Sequence, residues 1–332
     1  MRRANLARLA GVTLCASALA VAGWLAAARP ALAQAAYPNK PIRFVVPYSP
    51  GGLPDTVARI VAQRLTERLG QPVNVDNRPG ANGVVAAQAI ATMPADGYVF
   101  LVTDGSMFTI NPLIYKVLPY GTKDFAPVAL VARAPLFLAL HPSVPANTLA
   151  EFVALVKSQP GRLDYGSSGI GSTHHLTMEA MKAGLGLHIT HIPYKGTGQS
   201  VPALIGGQVS AAFSALPSLA GFVRSGQVKL VAVNSAQRSD QAPNVPAISE
   251  LLPGFDFAPI VGIFAPAATP AAVVQRVSAE VMQLARTPEV IAQMKTSGID
   301  SVGGGPAELG KAIEDEAARA KVAARAAQLQ PE

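Results

Sequence analysis

The sequence predicts an α/β fold in which parallel sheets carry helices on both faces, and three observations predict it. Short β-branched runs alternate with amphipathic helical patterns over most of the chain. Three glycine-rich turns each lead from such a run into a helical pattern. No long linker or low-complexity tract interrupts the series, so two lobes, if formed, are joined by strands.

Residues 42–48 (IRFVVPY) read as a buried strand, and 55–69 as a helix with Val57, Ile60, Val61 and Leu65 on one face and Gly70 as its stop. A strand at 73–75, a helix at 84–92 and a strand at 98–103 come next. Thr148 and Glu151 form a capping box for a helix at 149–159. Strands at 162–167, 188–193, 208–213 and 228–233 then alternate with helices at 173–183, 199–206 and 217–225, and helices near 270–286, 288–296 and 306–328 close the chain. Two extended segments, 128–141 and 255–265, suit crossings between lobes. They make lobe one discontinuous, residues 34–135 plus 256–332, with lobe two, residues 136–255, as the insert.

Of 332 residues, 27 are Lys or Arg and 20 are Asp or Glu, a formal charge of +7. Arg2, Arg3, Arg8 and Arg29 stand in the first 33 residues, which hold no acid, so the remainder carries 23 basic against 20 acidic side chains, only +3. That opening has a basic start, an uncharged run over 9–28 and Ala31-Leu32-Ala33 as a small-x-small site, the layout of an export signal removed after Ala33. The 20-residue run is also long enough to span a bilayer, but eight of the 20 are Ala. Arg2-Arg3 lacks a preceding Ser or Thr and a following Phe, so general and twin-Arg export both stay open. Cys15 and Trp24 belong to this segment, and the chain after Ala33 has neither residue type. It can form no disulfide, thiolate zinc site or cysteine nucleophile. Basic residues are scattered and aromatics make up only 6%, which argues against nucleic acid as a partner.

The chemistry belongs at the glycine-rich turns, VVPYSPGGLPDTVAR (45–59), NRPGANG (77–83) and YGSSGIGSTHH (165–175). A helix that starts after such a turn carries about half a positive charge and unpaired N–H donors, enough to hold an anion without Lys or Arg. In open α/β sheets ligands settle at the carboxyl ends of strands, where all three turns lie. Ser168, Ser172 and Thr173 add hydroxyl donors. The alternative is that these are ordinary strand-to-helix connections.

GPAELGKA (305–312) matches a phosphate loop except that Ala312 replaces the Mg²⁺-binding Ser or Thr, and Pro306 and Glu308 suit a helix's first turn. GSSGI (166–170) is one residue from a nucleophile elbow, with Ile170 where the closing Gly belongs. A secreted serine hydrolase using Ser168 with His174 or His175 nearby is the enzymatic alternative. No H-x-x-x-H or H-E-x-x-H occurs, and His174 and His175 face different ways on a helix, as His188 and His191 do on a strand, so no metal site is expected.

The turns VVPYSPGGLPDTVAR and NRPGANG, followed in order by ADGYVFLV (95–102), INPLIYKVLPY (110–120), KDFAPVALVAR (123–133), HIPYKGTG (191–198), IGGQVSAAF (205–213) and GIFAPAATP (262–270), resemble the solute-binding proteins of tripartite tricarboxylate transporters, the Bordetella uptake gene (Bug) family. The resemblance covers nearly all of the chain after the leader. It implies a periplasmic protein with a type II periplasmic binding protein fold, two α/β lobes joined by two crossing strands with a ligand cleft between them. It further implies a monomeric receptor, without cofactor, metal or catalytic residue, that captures a small organic acid, a mono- or dicarboxylate, and delivers it to membrane permease subunits. A receptor feeding a sensor kinase is the alternative with the same cleft. By family pattern, Tyr48, Gly51, Gly52 and Asp55 grip from lobe one, and Ser168, Gly171, Ser172 and Thr173 from lobe two, while Ser106, Tyr194, Lys195 and Ser214 reach the cleft. For Asp55 the alternative is an N-cap. Ser214 and Ile260 stand where the family commonly has Asp and Trp. Loss of that carboxylate implies a ligand without an α-amino group, and Ile260 either a roomier wall or a place in the hinge core.

Overall fold

The structure, a computed structural model, describes residues 37–331 except Lys195; the expected leader and its cleavage site lie outside them. In chain order the strands are β1 (Ile42–Val46), β2 (Val73–Asn77), β3 (Val99–Asp104), β4 (Phe125–Arg133), β5 (Leu136–Leu140), β6 (Asp164–Ser167), β7 (Thr190–Pro193), β8 (Ala211–Ala215), β9 (Lys229–Val233), β10 (Ile260–Pro266) and β11 (Asp300–Gly304). They form a six-stranded sheet, β11-β4-β10-β3-β1-β2, and a five-stranded sheet, β7-β6-β8-β5-β9. The chain leaves the first sheet after Arg133 and rejoins it at Ile260. Each sheet is the centre of one lobe.

Parallel pairing, expected throughout, holds for only part of each sheet. β1 runs parallel to β2 and β3, and β6 parallel to β7 and β8. β10 is antiparallel to β3 and β4, β11 to β4, and β5 to β8 and β9. The reversal sets in at the passages between lobes, where β5 and β10 join their sheets without the helical crossover that makes neighbours parallel, and β11 follows the direction of β10.

Buried residues on both faces explain why the strands read as continuous apolar runs. Val45 and Leu101 pack with Ala86, Ile90, Leu309 and Ile313 from the helices Val84–Ala91 and Pro306–Ala326. Phe44 and Phe100, edge to face at 6.2 Å, fill the opposite side. In the second sheet Leu138 and Phe213 meet the helices Leu149–Ser158 and Thr173–Leu185. Phe137 and Ala212 meet Thr197–Ile205 and Leu216–Arg224. Burying each such large apolar side chain stabilises the fold by roughly 1.5–3 kcal/mol. Across the lobes, Ala320, Ala323 and Ala324 of the last helix pack near Leu176 of Thr173–Leu185, small residues permitting the approach.

The segment 128–141, expected as one extended run, breaks at Ala134-Pro135, because Pro135 has no N–H to continue a ladder. Ala134 N–H donates instead to Pro259 O on the return passage, 2.9 Å away. Asn234, fully buried, brackets the two passages. Its Oδ1 accepts from Leu136 N–H and its Nδ2 donates to Phe257 O, both at 2.8 Å. Its backbone N–H donates to Leu136 O at 2.9 Å, and its carbonyl accepts from Phe257 N–H at 2.8 Å. Arg133 and Asp256 pair across the same passages at 3.0 Å.

Some local expectations are corrected. Thr148 Oγ1 accepts from Glu151 N–H at 3.1 Å, but Glu151 Oε2 reaches Asn147 N–H at 2.7 Å, one residue before the cap. Over GPAELGKA the expectation holds: the helix has begun by Pro306, and Gly305 N–H donates to Glu308 Oε2 at 2.6 Å.

Candidate functional site

A cleft of about 1080 Å³ lies between the lobes, lined from both. It opens at the carboxyl ends of β1, β3, β6 and β8. The N-caps of four helices of nine or more residues line it: Gly52 of Leu53–Leu69, Ser172 of Thr173–Leu185, Gly196 of Thr197–Ile205 and Ala215 of Leu216–Arg224. Among the described residues no Lys or Arg lines it. Each helix start brings unpaired N–H groups and about half a positive charge, so the cleft is suited to an anion held by backbone and hydroxyl donors.

On the first lobe, Gly51 adopts φ 86°, which lets the loop turn back before its helix. Gly51 N–H donates to Asp55 Oδ2 at 2.8 Å. The same oxygen accepts from Arg59 Nε at 2.9 Å, and Oδ1 accepts from Asn77 Nδ2 at 2.8 Å. Burial pushes the Asp55 carboxyl up, but the hydrogen bonds from Arg59, Gly51 and Asn77 hold it below the usual carboxylate range. Asp55 is therefore neither an N-cap, which is Gly52, nor part of the cleft lining. It fastens the 48–55 loop to its helix and to β2. It also commits the Gly51 amide, one of the expected anion donors.

On the second lobe, Ser172 caps its helix by accepting from His175 N–H at 3.2 Å. Gly171 N–H donates to His175 Nδ1 at 3.1 Å. Behind this turn His175 stacks on His191 with centroids 4.0 Å apart, and His191 on Tyr165 at 4.8 Å. Ser167 Oγ lies 2.7 Å from His191 Nε2, and Tyr165 donates to Glu179 Oε1 at 2.6 Å. Burial first, and then the charge of His175, push His191 down to about 4. The stack is a neutral, packed support for the turn above it. At its surface Ser168 Oγ lies 2.8 Å from His174 Nδ1, a nucleophile-and-base spacing. Burial pushes His174 down to about 4, a weak base at neutral pH, and among the described residues no carboxylate is found hydrogen-bonded to it. No group of three metal-ligating side chains is found among the described residues.

Tyr48, Gly51, Gly52, Ser106, Ser168, Gly171, Ser172, Thr173 and Ser214 all come together around the cleft. Asp55 and Tyr194 do not line it. The Tyr194 ring covers Gly166 and packs with the core beneath the second sheet. Lys195 lies outside the described residues. Ile260 is buried in the first lobe's core, the second of its two expected places.

The sequence reading missed Asp104, Gly196, Thr197, Pro217 and Gly298 in the lining. Gly196-Thr197 had a legible signal, a glycine between a strand and a helix, as at the other two turns. Asp104 ends β3, and its Oδ1 accepts from Tyr48 OH at 3.1 Å, from Ser106 N–H at 3.0 Å and from the Ser106 hydroxyl. Burial raises its carboxyl. The cleft lining thus holds an acid at Asp104, although Ser214 stands where the family commonly has Asp.

The model of the tripartite tricarboxylate transporter family receptor matches residues 57–329. Protein BugT of Bordetella pertussis is 34% identical over 290 residues, 85% of this chain and 88% of BugT. The solved structure of R. palustris Rpa4515 with adipate aligns with a TM-score of 0.77 at 32% identity, covering 89% of this chain and 100% of that one. MatC from Rhodopseudomonas palustris with bound malate aligns with a TM-score of 0.71 at 28% identity, covering 86% and 99%.

Proposed function

The chain belongs to the tripartite tricarboxylate transporter receptor family, and on that premise we propose that it is a periplasmic receptor, freed of its leader after Ala33, that captures a small organic carboxylate and hands it to a membrane permease. The observation that carries this reading is the meeting of four helix N-termini in one cleft with no cationic side chain among its described lining residues. Amides held in place by the fold need little reorganisation to receive a carboxylate, and Ser168, Ser172 and Thr173 add hydroxyls at the same spot. The adipate and malate complexes of relatives support the ligand class.

A carboxylate that touches both lobes only when they are together binds the closed form better and shifts the population towards it, which gives a permease a shape to read. One chain supplies both walls, so a monomer suffices.

A thermal-shift screen against mono- and dicarboxylates tests the reading. A ligand at 100 times its Kd stabilises the fold by about 2.7 kcal/mol, a rise of roughly 5 °C for a chain of this size. If no carboxylate moves the melting temperature, the assignment fails. The Ser168–His174 pair is the one observation that favours a hydrolase, and the same screen run with a model ester would expose turnover.

A further inference from the structure

On the first-lobe side of the cleft, Tyr48, Asp104 and Ser106 form a cluster in which three hydrogen bonds converge on one oxygen and the two hydroxyls can also bond to each other. Asp104 Oδ1 accepts from Tyr48 OH at 3.1 Å, from Ser106 N–H at 3.0 Å and from the Ser106 hydroxyl, and the two hydroxyl oxygens lie 3.3 Å apart. All three residues line the cleft. Among the described residues no ion pair of Asp104 is found, and the Asp104 charge helps push up the Glu316 carboxyl on the last helix.

A hydroxyl has one proton to donate. With Asp104 ionised, the Tyr48 and Ser106 hydroxyls spend their protons within the cluster, on Asp104 or on each other, which leaves acceptor lone pairs for a ligand. A ligand carboxylate placed here would meet lone pairs and a like charge. An O–H or N–H would meet acceptors backed by an anion, the stronger, charge-assisted arrangement. The helix starts across the cleft do the reverse and offer donors.

We infer that the cleft is polarised, with donors on the second lobe and acceptors at Tyr48, Asp104 and Ser106, and that its ligand is a carboxylate that also carries a hydrogen-bond donor, a hydroxyl or an ammonium, aimed at this cluster. The inference rests on the carboxylate reading above and narrows its substrate class. It reverses the expectation that an α-amino group is disfavoured.

Calorimetry on the full chain with acids matched in skeleton tests it: succinate, malate and aspartate, and butyrate with 3-hydroxybutyrate. Within a series the donor-bearing acid should bind about ten- to a hundredfold more tightly, the span of a hydrogen bond to a charged group. Malate against aspartate tells hydroxyl from ammonium. Asp104→Asn, whose amide can donate to the two hydroxyls and free their protons, should bring the ratio towards one. Ser106→Ala, which removes one acceptor while leaving Asp104, should lower it, and serves if Asp104→Asn does not fold. Unsubstituted acids binding as tightly as their donor-bearing partners overturn the inference and leave the carboxylate reading intact. Binding by no acid in either series overturns both.

Discussion

Glu316 is a carboxyl buried with a single hydrogen bond. Thr109 Oγ1 donates to its Oε1 at 2.8 Å, while Oε2 has no partner. A Cβ on Gly105 would overlap the same carboxylate, so the residue after Asp104 has no side chain. Burial pushes Glu316 up to about 7, with the Asp104 charge adding and Thr109, Arg319 and Arg133 opposing. The unfolded chain loses this proton near 4.5, whereas the folded chain keeps it until about 7. Folded stability from this group is therefore complete below about 4.5 and falls as pH rises through 7, by about 2 to 3 kcal/mol. Glu316→Gln keeps an acceptor for Thr109 and cannot ionise. It should melt higher than the parent at pH 8 and level with it near pH 5, and a melting difference that is the same at both pH values would reject the assignment. None of this was legible in the sequence, where Glu316 is one more polar residue in a helical pattern.

At the level of elements, one side chain that ties the hinge passages together has partners that lie far away in the chain. Asn234 is 98 residues from Leu136 and 23 from Phe257, so no local pattern could reveal it. Asn234→Ala would leave Leu136 N–H and Phe257 O unpaired in a buried position, each costing about 1–3 kcal/mol. We expect about 2 to 4 kcal/mol lost in urea unfolding, and a loss under about 0.5 kcal/mol would show that other groups hold the passages together. The helices were legible because an apolar stripe at 3.6-residue spacing is a local property. β11 was not, since Gly303 and Gly304 remove the side chains that mark a strand. Nor were Ser106–Thr109 and Asn111–Ile114, each too short to show a period.

For the molecule as a whole, the two glycine-turn halves of the site could be read ahead of the structure because their chemistry is carried by consecutive residues. The acceptor wall could not, because Tyr48 and Asp104 are 56 residues apart and meet only through the pairing of β1 with β3. The mouth of the cleft was equally hidden. There Gly298 of the first lobe, at φ 71°, faces Pro217 of the second so closely that a Cβ would overlap the ring, and Gln241 Nε2 donates to Asp300 Oδ1 across the gap at 2.9 Å. Gly298→Ala should wedge the lobes apart, with roughly 1–2 kcal/mol of added backbone strain. X-ray scattering should show a larger radius of gyration and calorimetry a weaker ligand, and an unchanged profile with unchanged affinity would mean that the lobes do not meet at this point.

The starts of the four longer helices are unequally divided: Ser172, Gly196 and Ala215 belong to the second lobe, and Gly52 to the first, which also bears Asp104. When the halves are apart they are unlike landing places for an anion, one a cup and the other a lid. Under the proposed receptor reading, loading has an order: the solute settles in the cup, the lid comes down over it, and the rate of arrival belongs to one half while the length of stay belongs to both.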